Sequence, residues 1–482
     1  MPKRALMHVL PLLALTVAVP SAAQMSKSEV ASFLDAREER LTDIAMRIWD
    51  LAEVGYLEEE SSALLAGELE AHGFTVEWGV AGIPTAFVAT YGSGSPVIGV
   101  LGEFDALPGI NQAAVPYRQP IEGKIAGHAC GHHLYGTASS AAAIGAAEWL
   151  KRTGSPGTIR LYGTPAEEGG SAKVYMVRGG LFDDVDVVLA WHASGVSSAS
   201  PGSNLAVKSA KFRFSGVSAH AASAPEQGRS ALDGVEAMNF MVNLMREHVP
   251  QETRLHYVIT YGGAAPNVVP DFSEVYYYVR HPDPEVVRSI FERVVAASAG
   301  AAEGTGTSVE YEVIGRAYSR LPIVALQEVV YENLTSVGGV FYDDQELAFA
   351  EALKGTLPPN PSVASAATIQ PFEHRMTYAS SDAGDVSWKV PAGTLSAATW
   401  IPGTAAHSWQ AIAAGGTTIG VKGMMVAAKT LALTAVDLFS DPARVATIRA
   451  EFEKSRGADF RYDPLIGDRD PPLDYRARSP MP

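Results

Sequence analysis

The chain has 482 residues, more than a single compact core usually holds, so we expect two domains. Hydrophobic residues make up 47% and charged residues 19% of the sequence, which is typical of a folded globular protein and not of a disordered one. The formal net charge of -16 argues against nucleic acid as a partner, because phosphate binding needs a basic surface.

The N-terminus has the pattern of an export signal. Lys3 and Arg4 precede an apolar run (5–19), small residues follow it, and a cleavage site is expected before Gln24. Residues 1–23 are therefore predicted to be a signal peptide, and the mature protein to be periplasmic or secreted. An uncleaved membrane anchor is the alternative, but the run is short for a span of ~20 residues. No later segment is expected to cross a membrane.

The predicted elements of the N-terminal part alternate between helices and strands. Apolar residues at helical spacing predict helix over 27–73. The elements predicted after it are a strand over 97–101, a helix over 137–151, and strands over 158–162 and 187–191. This alternation favours an α/β domain with a mainly parallel sheet.

The pattern changes after about Leu205. Half-buried strands are predicted over 211–216, 274–280 and 308–313, with helices over 230–248 and 283–302. These elements indicate an α+β sandwich of antiparallel strands with helices on one face. It is predicted to be an insertion, because an α/β pattern resumes after about Pro322 and ends with the segment 416–421 and a helix over 424–438.

The predicted domains follow from this change of pattern. They are a catalytic domain over 24–205 and 318–455, an inserted domain over 206–317, and a C-terminal tail over 456–482. The tail is rich in Arg, Asp and Pro, and we expect it to be extended on the surface.

Acidic and imidazole side chains follow three of the predicted strands. VIGVL runs into Glu103 and Asp105, TIRLY runs into Glu167 and Glu168, and VVLAW runs into His192. Because the carboxyl ends of parallel strands line the crevice of an open sheet, we expect these groups to lie close together.

The single cysteine lies between the first two of these strand ends, in the motif HACGHH (128–133). An exported protein with one cysteine has no internal disulfide. A buried core thiol is the alternative for Cys130. A Cys-x-His pair can also hold a metal through thiolate and imidazole, and Gly131 permits a tight approach. The position of the motif between acidic strand ends favours the metal site.

Glu167 and Glu168 form a carboxylate pair between an apolar strand and two glycines. A solvated acidic turn is the alternative. A metal hydrolase needs one carboxylate to bind the cation and another to transfer a proton from water to the leaving amine. Adjacent glutamates can divide this work, because their side chains diverge.

Six segments together resemble a known family. GEFDALPG, GHACGHH, GTPAEEGG, WHASG, SGVSAHAA and TAAHSW are similar, in order and approximate spacing, to motifs of the aminoacylase and carboxypeptidase G superfamily of dinuclear metallopeptidases. The similarity extends from about residue 30 to about 440. It is greatest to the B-type subunit of aminobenzoyl-glutamate hydrolase, with indole-acetyl amino acid hydrolases nearby. The resemblance implies a catalytic domain of the zinc-exopeptidase type and a lid and dimerisation role for the inserted domain.

The resemblance also implies a metal site. Two divalent metal ions, zinc or manganese, would be held by Cys130, His132, Glu168, His192 and His407. Cys130 would bridge or flank the two ions, in place of the aspartate of other branches. Glu167 would be the general base and acid, and Asp105 would orient a ligand imidazole.

Substrate contacts are implied for the inserted domain. In a homodimer formed through that domain, His220 would reach the site of the partner subunit and polarise the scissile carbonyl. Asn267 and Arg280 would bind the free carboxylate of the substrate. An ordinary ion pair with Asp283 is the alternative for Arg280.

Several residues depart from the family pattern or have no assigned role. Glu103 stands where many relatives carry histidine or aspartate. For His133 a supporting or surface role is favoured over metal binding, and for His128 a structural or substrate-facing role. Asp382 and Asp385 are candidates for the pocket lining.

The predicted function is hydrolysis of the amide bond of an N-acyl or N-aroyl amino acid, a small-molecule substrate, by a metal-activated water. One alternative is a dipeptidase, or an aminoacylase for aliphatic acyl groups. A second is a peptidase-like binding protein without catalysis. Such proteins usually lose ligands or the base, whereas all of these residues are present here.

Overall fold

The computed structural model describes residues 25–359 and 361–476. The predicted signal peptide, residues 1–23, lies outside the described residues. The helices are α1 (Lys27–Asp35), α2 (Glu38–Leu51), α3 (Glu59–Ala71), α4 (His132–Thr153), α5 (Ala172–Arg178), α6 (Ala231–Met245), α7 (Pro284–Thr305), α8 (Val324–Val337), α9 (Asp344–Lys354), α10 (Ala383–Lys389), α11 (Trp409–Gly415), α12 (Thr418–Ser440) and α13 (Pro442–Arg456). The longer strands are β1 (Thr75–Trp78), β2 (Phe87–Ser93), β3 (Val97–Gly102), β4 (Gly157–Gly163), β5 (Val187–Ser194), β6 (Ala206–Ser215), β7 (Arg254–Tyr261), β8 (Phe272–His281), β9 (Ser308–Ala317) and β10 (Ala392–Ala398).

The first domain is built on a sheet in the order β1-β2-β4-β3-β5-β10. β3 pairs in parallel with β4 and β5, and β5 pairs in parallel with β10. β1 and β2 are antiparallel at one edge. The mainly parallel sheet predicted from the alternating elements is confirmed. The carboxyl ends of β3, β4 and β5 therefore meet at one edge of the sheet.

Side chains of the central strands alternate between two apolar layers. Val187, Leu189 and Trp191 of β5 pack into the layer that contains α4 and α12. Val188 and Ala190 pack into the opposite layer, which contains α5 and part of the C-terminal segment. A parallel strand that is covered on both faces has a continuous apolar sequence, as VVLAW does.

Small residues let α4 lie close to the end of β3. A Cβ atom at Gly136 would lie 2.6 Å from Leu65 Cδ1 and 2.8 Å from the Glu103 carbonyl oxygen. A larger residue would force the helix away from the strand. The glycine therefore brings the first turn of α4, which begins at His132, to the strand ends.

One helix of the described part of the chain, α12, is long and apolar enough to cross a membrane by length and composition. Its most apolar window has a mean hydropathy of 1.4, so the expectation that no later segment would qualify is wrong. However, 89% of this window is buried inside the protein, where α12 packs against α4 and α8. An apolar helix buried on all sides is typical of the core of a large domain.

Two stretches differ from their predicted structure. Residues 27–73 contain α1, α2 and α3 instead of one helix, and the chain turns between them at Ala52 and Tyr56, whose φ angles are 48° and 68°. Residues 418–421 begin α12, and the strand that precedes this helix in the sheet is β10. The sequence of β10, AGTLSAA, has low strand propensity, so only its pairing with β5 reveals it.

The inserted domain has an antiparallel sheet in the order β7-β8-β6-β9. α6 and α7 pack on one face of this sheet around a separate apolar core. The α+β sandwich predicted from the alternating strands is confirmed. β7 lies at an edge of the sheet, and most of its side chains are exposed.

The segment after α13 has no helix or strand in its described part, 457–476. It does not simply lie on the surface, as expected, because Leu465 and Ile466 are only 2% and 3% exposed. Ile466 packs into the apolar layer opposite α4. The hydroxyl of Tyr462 donates a hydrogen bond of 2.7 Å to Asp385 Oδ1. The C-terminal segment is thus part of the folded first domain.

Candidate functional site

The five predicted metal ligands lie together at the carboxyl ends of the central strands. Their ligand atoms form two groups, and the atoms of each group lie within 4.8 Å of one another. One group is Cys130, His132 and His192, and the other is Cys130, Glu168 and His407. Because Cys130 belongs to both groups, its sulfur lies where it could bridge two cations. Thiolate, imidazole and carboxylate together suit divalent transition metals.

Local backbone geometry brings the ligands of different elements together. Gly131 has a φ of +79°, and a Cβ atom there would lie 2.5 Å from Ala193 Cβ. Only glycine fits this position, and Cys130 Sγ consequently lies 3.4 Å from His192 Nε2. His407 lies in the loop before α11 with a φ of 60°. Its backbone nitrogen donates a hydrogen bond of 2.9 Å to the residue before Cys130.

Asp105 fixes two of the ligands at once, as predicted for a residue that orients an imidazole. Its Oδ1 lies 2.9 Å from His132 Nδ1, and its Oδ2 accepts a hydrogen bond of 2.9 Å from the Glu168 backbone nitrogen. The free atoms of these ligands, His132 Nε2 and Glu168 Oε1, are buried and form no hydrogen bond. Buried polar atoms without partners are rare, and a bound cation would satisfy both. The donor set therefore fits a metal.

The charges of the site favour the metal-binding form of the cysteine. Burial raises the pKa of the Cys130 thiol, but His192 and His132 outweigh this effect and hold the pKa well below its ordinary value. Burial and the nearby Cys130 raise the pKa of Glu168 to about 7. Hydrogen bonds to Cys130 and Glu168 raise the pKa of His407 to about 11. The thiolate is the form of cysteine that binds a cation.

Glu167 lines the same cleft as the ligands. One of its carboxylate oxygens lies within 4.8 Å of ligand atoms of Glu103 and His132. Burial raises the pKa of Glu167 well above its ordinary value, and the charges of Glu103 and Glu168 raise it further. A carboxyl group with a raised pKa can accept and return a proton near neutral pH.

A buried charge cluster behind Glu167 was not predicted. Lys173 Nζ lies 2.8 Å from Glu103 Oε1 and 2.6 Å from Asp382 Oδ1, and all three side chains are buried. Glu103 Oε2 lies 3.1 Å from His132 Nε2. One buried ammonium group thus neutralises part of the negative charge around the site. The only sequence signal was a lysine within the apolar run of α5, AKVYMV.

The turn that carries the glutamate pair is held by a second unpredicted residue. Glu58 is fully buried, and its Oε1 accepts a hydrogen bond of 2.8 Å from the backbone nitrogen of Ala166. Ala166 and Ser171 have φ angles of 55° and 59°, which are unfavourable for residues with side chains. Glu58 stands at the start of a run of three glutamates, a pattern more typical of a solvated surface.

The residues without an assigned role have different positions. His128 and His133 are buried away from the cleft, and their Nε2 atoms lie 3.0 and 3.1 Å from backbone carbonyl oxygens. His133 is therefore a core residue and not a surface one. Asp382 lines the cleft. Asp385 is buried and accepts a hydrogen bond of 2.8 Å from the backbone nitrogen of Tyr318.

Only one of the three predicted substrate contacts lies in the cleft of its own chain. Arg280 lines the cleft, and its Nη1 donates to Ser380 Oγ at 3.3 Å. The alternative ion pair with Asp283 is not formed, because Asp283 caps α7 instead. His220 and Asn267 are exposed on the inserted domain and do not line the cleft. Their roles as substrate contacts stay predictions that need a second subunit.

The cleft itself lies between the first and inserted domains and has a volume of about 890 Å³. The metal-ligand groups lie on its first-domain side. Its lining is rich in guanidinium groups, which come from Arg280, Arg316, Arg320, Arg375 and Arg476. A protein of net charge -16 therefore presents a cationic cleft, which suits an anionic ligand.

Comparison with known sequences places these features in a family. A model of the peptidase dimerisation domain matches residues 204–305, within the inserted domain and its first flank. A p-aminobenzoyl-glutamate hydrolase of Escherichia coli (strain K12), in its B-type subunit, is 41% identical over 459 residues, covering 88% of this chain and 95% of that protein. The Xaa-Arg dipeptidase of Mus musculus is 29% identical over 445 residues, covering 89% and 93%.

Solved structures with the same fold are more distant in sequence. An aminobenzoyl-glutamate utilization protein from Klebsiella pneumoniae has a TM-score of 0.59 and 20% identity, covering 85% of this chain and 98% of that chain. A dinuclear metal binding peptidase of the M20 family from Bacillus subtilis has a TM-score of 0.56 and 18% identity, covering 84% and 99%. The fold predicted from the resemblance is confirmed.

These similarities agree with the site geometry. The chain covers nearly the full length of a relative that is 41% identical, and it has the ligand groups of a dinuclear metal site. The prediction of a metal-dependent hydrolase of amide bonds is thereby confirmed. The chain belongs to the M20 family of peptidases and amidohydrolases.

Proposed function

We propose that the protein hydrolyses N-aroyl amino acids of the p-aminobenzoyl-glutamate kind with two divalent cations. The observation that carries the proposal is the sharing of Cys130 by two ligand groups beside Glu167, in a cleft lined by arginines. The relative with 41% identity is named as a hydrolase of p-aminobenzoyl-glutamate, an anionic aroyl amino acid.

The proposed mechanism assigns proton transfer to Glu167. Two cations bound by the five ligands would supply Lewis-acid activation of the water and of the amide carbonyl. Glu167 takes a proton from the attacking water and delivers it to the nitrogen of the leaving amine. Asp105 keeps the ring of His132 in its orientation through the hydrogen bond to Nδ1. His220 of the partner subunit would polarise the scissile carbonyl.

A dipeptidase is the second candidate, because a mouse Xaa-Arg dipeptidase is 29% identical. The cleft argues against the arginine specificity of that relative, since guanidinium groups in the cleft would repel an arginine side chain. A panel of p-aminobenzoyl-glutamate, aliphatic N-acyl glutamates and Xaa-Arg dipeptides tests this choice. We expect the highest kcat/KM for the aroyl-glutamate, and much lower activity when its α-carboxylate is esterified. A preference for Xaa-Arg dipeptides would overturn the proposal.

The sharing of Cys130 predicts different metal losses for two ligand variants. Cys130→Ser should lose most of both cations, because a hydroxyl binds divalent transition metals much more weakly than a thiolate. His407→Ala should lose about one of the two, because His407 belongs to only one ligand group. Elemental analysis of protein purified without a nickel column measures both losses and identifies zinc or manganese. Equal metal content in the two variants would contradict a bridging cysteine.

We propose that the protein is a homodimer joined through the inserted domain. Large apolar side chains are exposed on that domain, among them Phe240 and Leu244 of α6 and Val258 of the edge strand β7. Exposed apolar side chains and a bare strand edge are typical of a protein interface. The double variant Phe240→Glu, Val258→Glu should be a monomer in light scattering. Phe341→Glu, at an equally exposed position of the first domain, is the control that should stay dimeric.

We also propose export, on the N-terminal pattern alone. Mass spectrometry of the mature protein should give an N-terminus at Gln24. An intact N-terminus on protein recovered from the cytoplasm would contradict the proposal.

A further inference from the structure

The C-terminal segment runs from α13 to the metal site along the face of the sheet opposite α4. Arg178 donates hydrogen bonds of 2.9 and 2.8 Å to the carbonyl oxygens of Gly467 and Arg469. The hydroxyl of Tyr318 donates one of 2.9 Å to the carbonyl of Asp463. These contacts fix the path of a segment that has no regular structure of its own.

The described part of the segment ends at the turn that carries the glutamate pair. The hydroxyl of Tyr475 donates a hydrogen bond of 3.2 Å to the carbonyl oxygen of Glu168, and Arg476 donates a second one to the same oxygen. The ring of Tyr475 packs edge-on against Tyr56, with the ring centroids 5.7 Å apart. The hydroxyl of Tyr56 in turn bonds to the carbonyl of Gly170 in the same turn. The end of the segment is therefore anchored beside a predicted metal ligand.

From this anchor the guanidinium group of Arg476 lines the active-site cleft. Its Nε is buried and has no hydrogen-bond partner. Among the residues that the structure describes, no carboxylate oxygen pairs with Arg476 within 4.0 Å, and the same holds for Arg280. Partly buried guanidinium groups are usually paired, because an unpaired buried charge is costly. A free fork of this kind in a ligand cleft suits a carboxylate, which it can bind through two parallel hydrogen bonds.

We propose that Arg476 binds a second anionic group of the substrate, in addition to the α-carboxylate that Arg280 is predicted to bind. The inference rests on the proposed function, and it makes the C-terminal segment a specificity-determining part of the site. The second anionic group is either a side-chain carboxylate of the leaving amino acid or a carboxylate on the acyl part. Both offer the same planar acceptor to the guanidinium group.

Three substrates that all keep the α-carboxylate separate these sources. They are N-benzoyl-glutamate, the uncharged analogue N-benzoyl-glutamine, and N-(4-carboxybenzoyl)-glutamine. Arg476→Ala should lower kcat/KM about 10- to 100-fold for one of the two doubly charged substrates, the range for a hydrogen bond to a charged group. It should leave N-benzoyl-glutamine nearly unchanged. Arg476→Lys should restore part of the loss, because it returns the charge without the fork.

Two other arginines serve as controls. Arg461→Ala changes an exposed arginine of the same segment, whose guanidinium contacts only the carbonyl of Phe460, and it should alter none of the three values. Arg280→Ala should lower all three values together, because each substrate has an α-carboxylate. An equal loss for the three substrates in Arg476→Ala would show that Arg476 only anchors the turn, and would overturn the proposal.

A binding measurement keeps this inference apart from the proposed function. Calorimetry with metal-loaded Glu167→Gln protein compares the affinities of the same three compounds, with and without Arg476→Ala. Loss of the preference for a doubly charged compound in the Arg476→Ala protein supports the inference even if wild-type protein hydrolyses none of them, a result that would overturn only the proposed function. Equal affinities for all three compounds in the presence of Arg476 would overturn the inference, even if all three were hydrolysed.

Discussion

Glu167→Gln is expected to lower kcat by about 10³-fold or more while the metal content stays at the wild-type level. General acid–base catalysis contributes about 10²- to 10⁴-fold to enzymatic rates, and here one carboxylate both accepts the proton of water and delivers it to the amine. A loss of 10³-fold corresponds to about 4 kcal/mol of activation free energy. Glutamine keeps the size and the acceptor oxygen of the side chain but cannot take up the proton. Initial rates at saturating substrate, together with elemental analysis of the same sample, measure both quantities.

The neighbouring glutamate provides the matched control. Glu168→Gln changes the same functional group one residue further along the same turn, but Glu168 belongs to a ligand group and Glu167 to none that contains Cys130. We expect this variant to lose bound metal as well as activity. If Glu167→Gln lost metal and Glu168→Gln did not, the two roles would have to be exchanged. Near-normal turnover in Glu167→Gln would rule out Glu167 as the base.

The sequence predicted the parts of the fold and site that depend on local pattern. Strands β3, β4 and β5 are continuous apolar runs because both faces of a parallel strand are buried, and such runs are easy to recognise. Their carboxyl ends carry the acidic groups that the structure brings together around Cys130. β10 was missed because its small residues favour no regular structure, and only pairing with β5 makes them a strand.

The unpredicted residues of the site share a different property: their surroundings are set by distant parts of the chain. Lys173 is a buried counter-charge only because Glu103 and Asp382 converge on it from two other elements. Glu58 supports the turn at Ala166 across more than a hundred residues of sequence, yet a glutamate within an acidic run looks like a solvated side chain. Arg476 reaches the cleft through a segment without regular structure, which has no periodic pattern to interpret. Contacts of this kind follow from the tertiary fold and have no local signature.

His220→Ala is expected to lower kcat about 10²- to 10³-fold without changing metal content, the effect of removing one donor to a developing oxyanion. The ring of His220 is arranged for this task. Its Nδ1 accepts hydrogen bonds of 3.2 and 3.1 Å from the backbone nitrogens of Ala222 and Ser223. The proton of the neutral ring therefore lies on Nε2, which has no partner among the described residues and can donate to a carbonyl oxygen. Since His220 does not line its own cleft, the acceptor must belong to another subunit.

Mixed dimers test that last step directly. In a dimer of one His220→Ala subunit and one Glu167→Gln subunit, one site combines a wild-type Glu167 with a wild-type His220 of the partner subunit, and the other site lacks both. Random reassociation of equal amounts makes about half of the dimers mixed, so about a quarter of all sites should be restored. If His220 acted within its own chain, both sites of every mixed dimer would lack one of the two groups, and the mixture would stay as inactive as its parents. Recovery of activity on mixing would therefore make the second subunit a working part of each active site, because only a partner can supply the donor that the cleft of a single chain lacks.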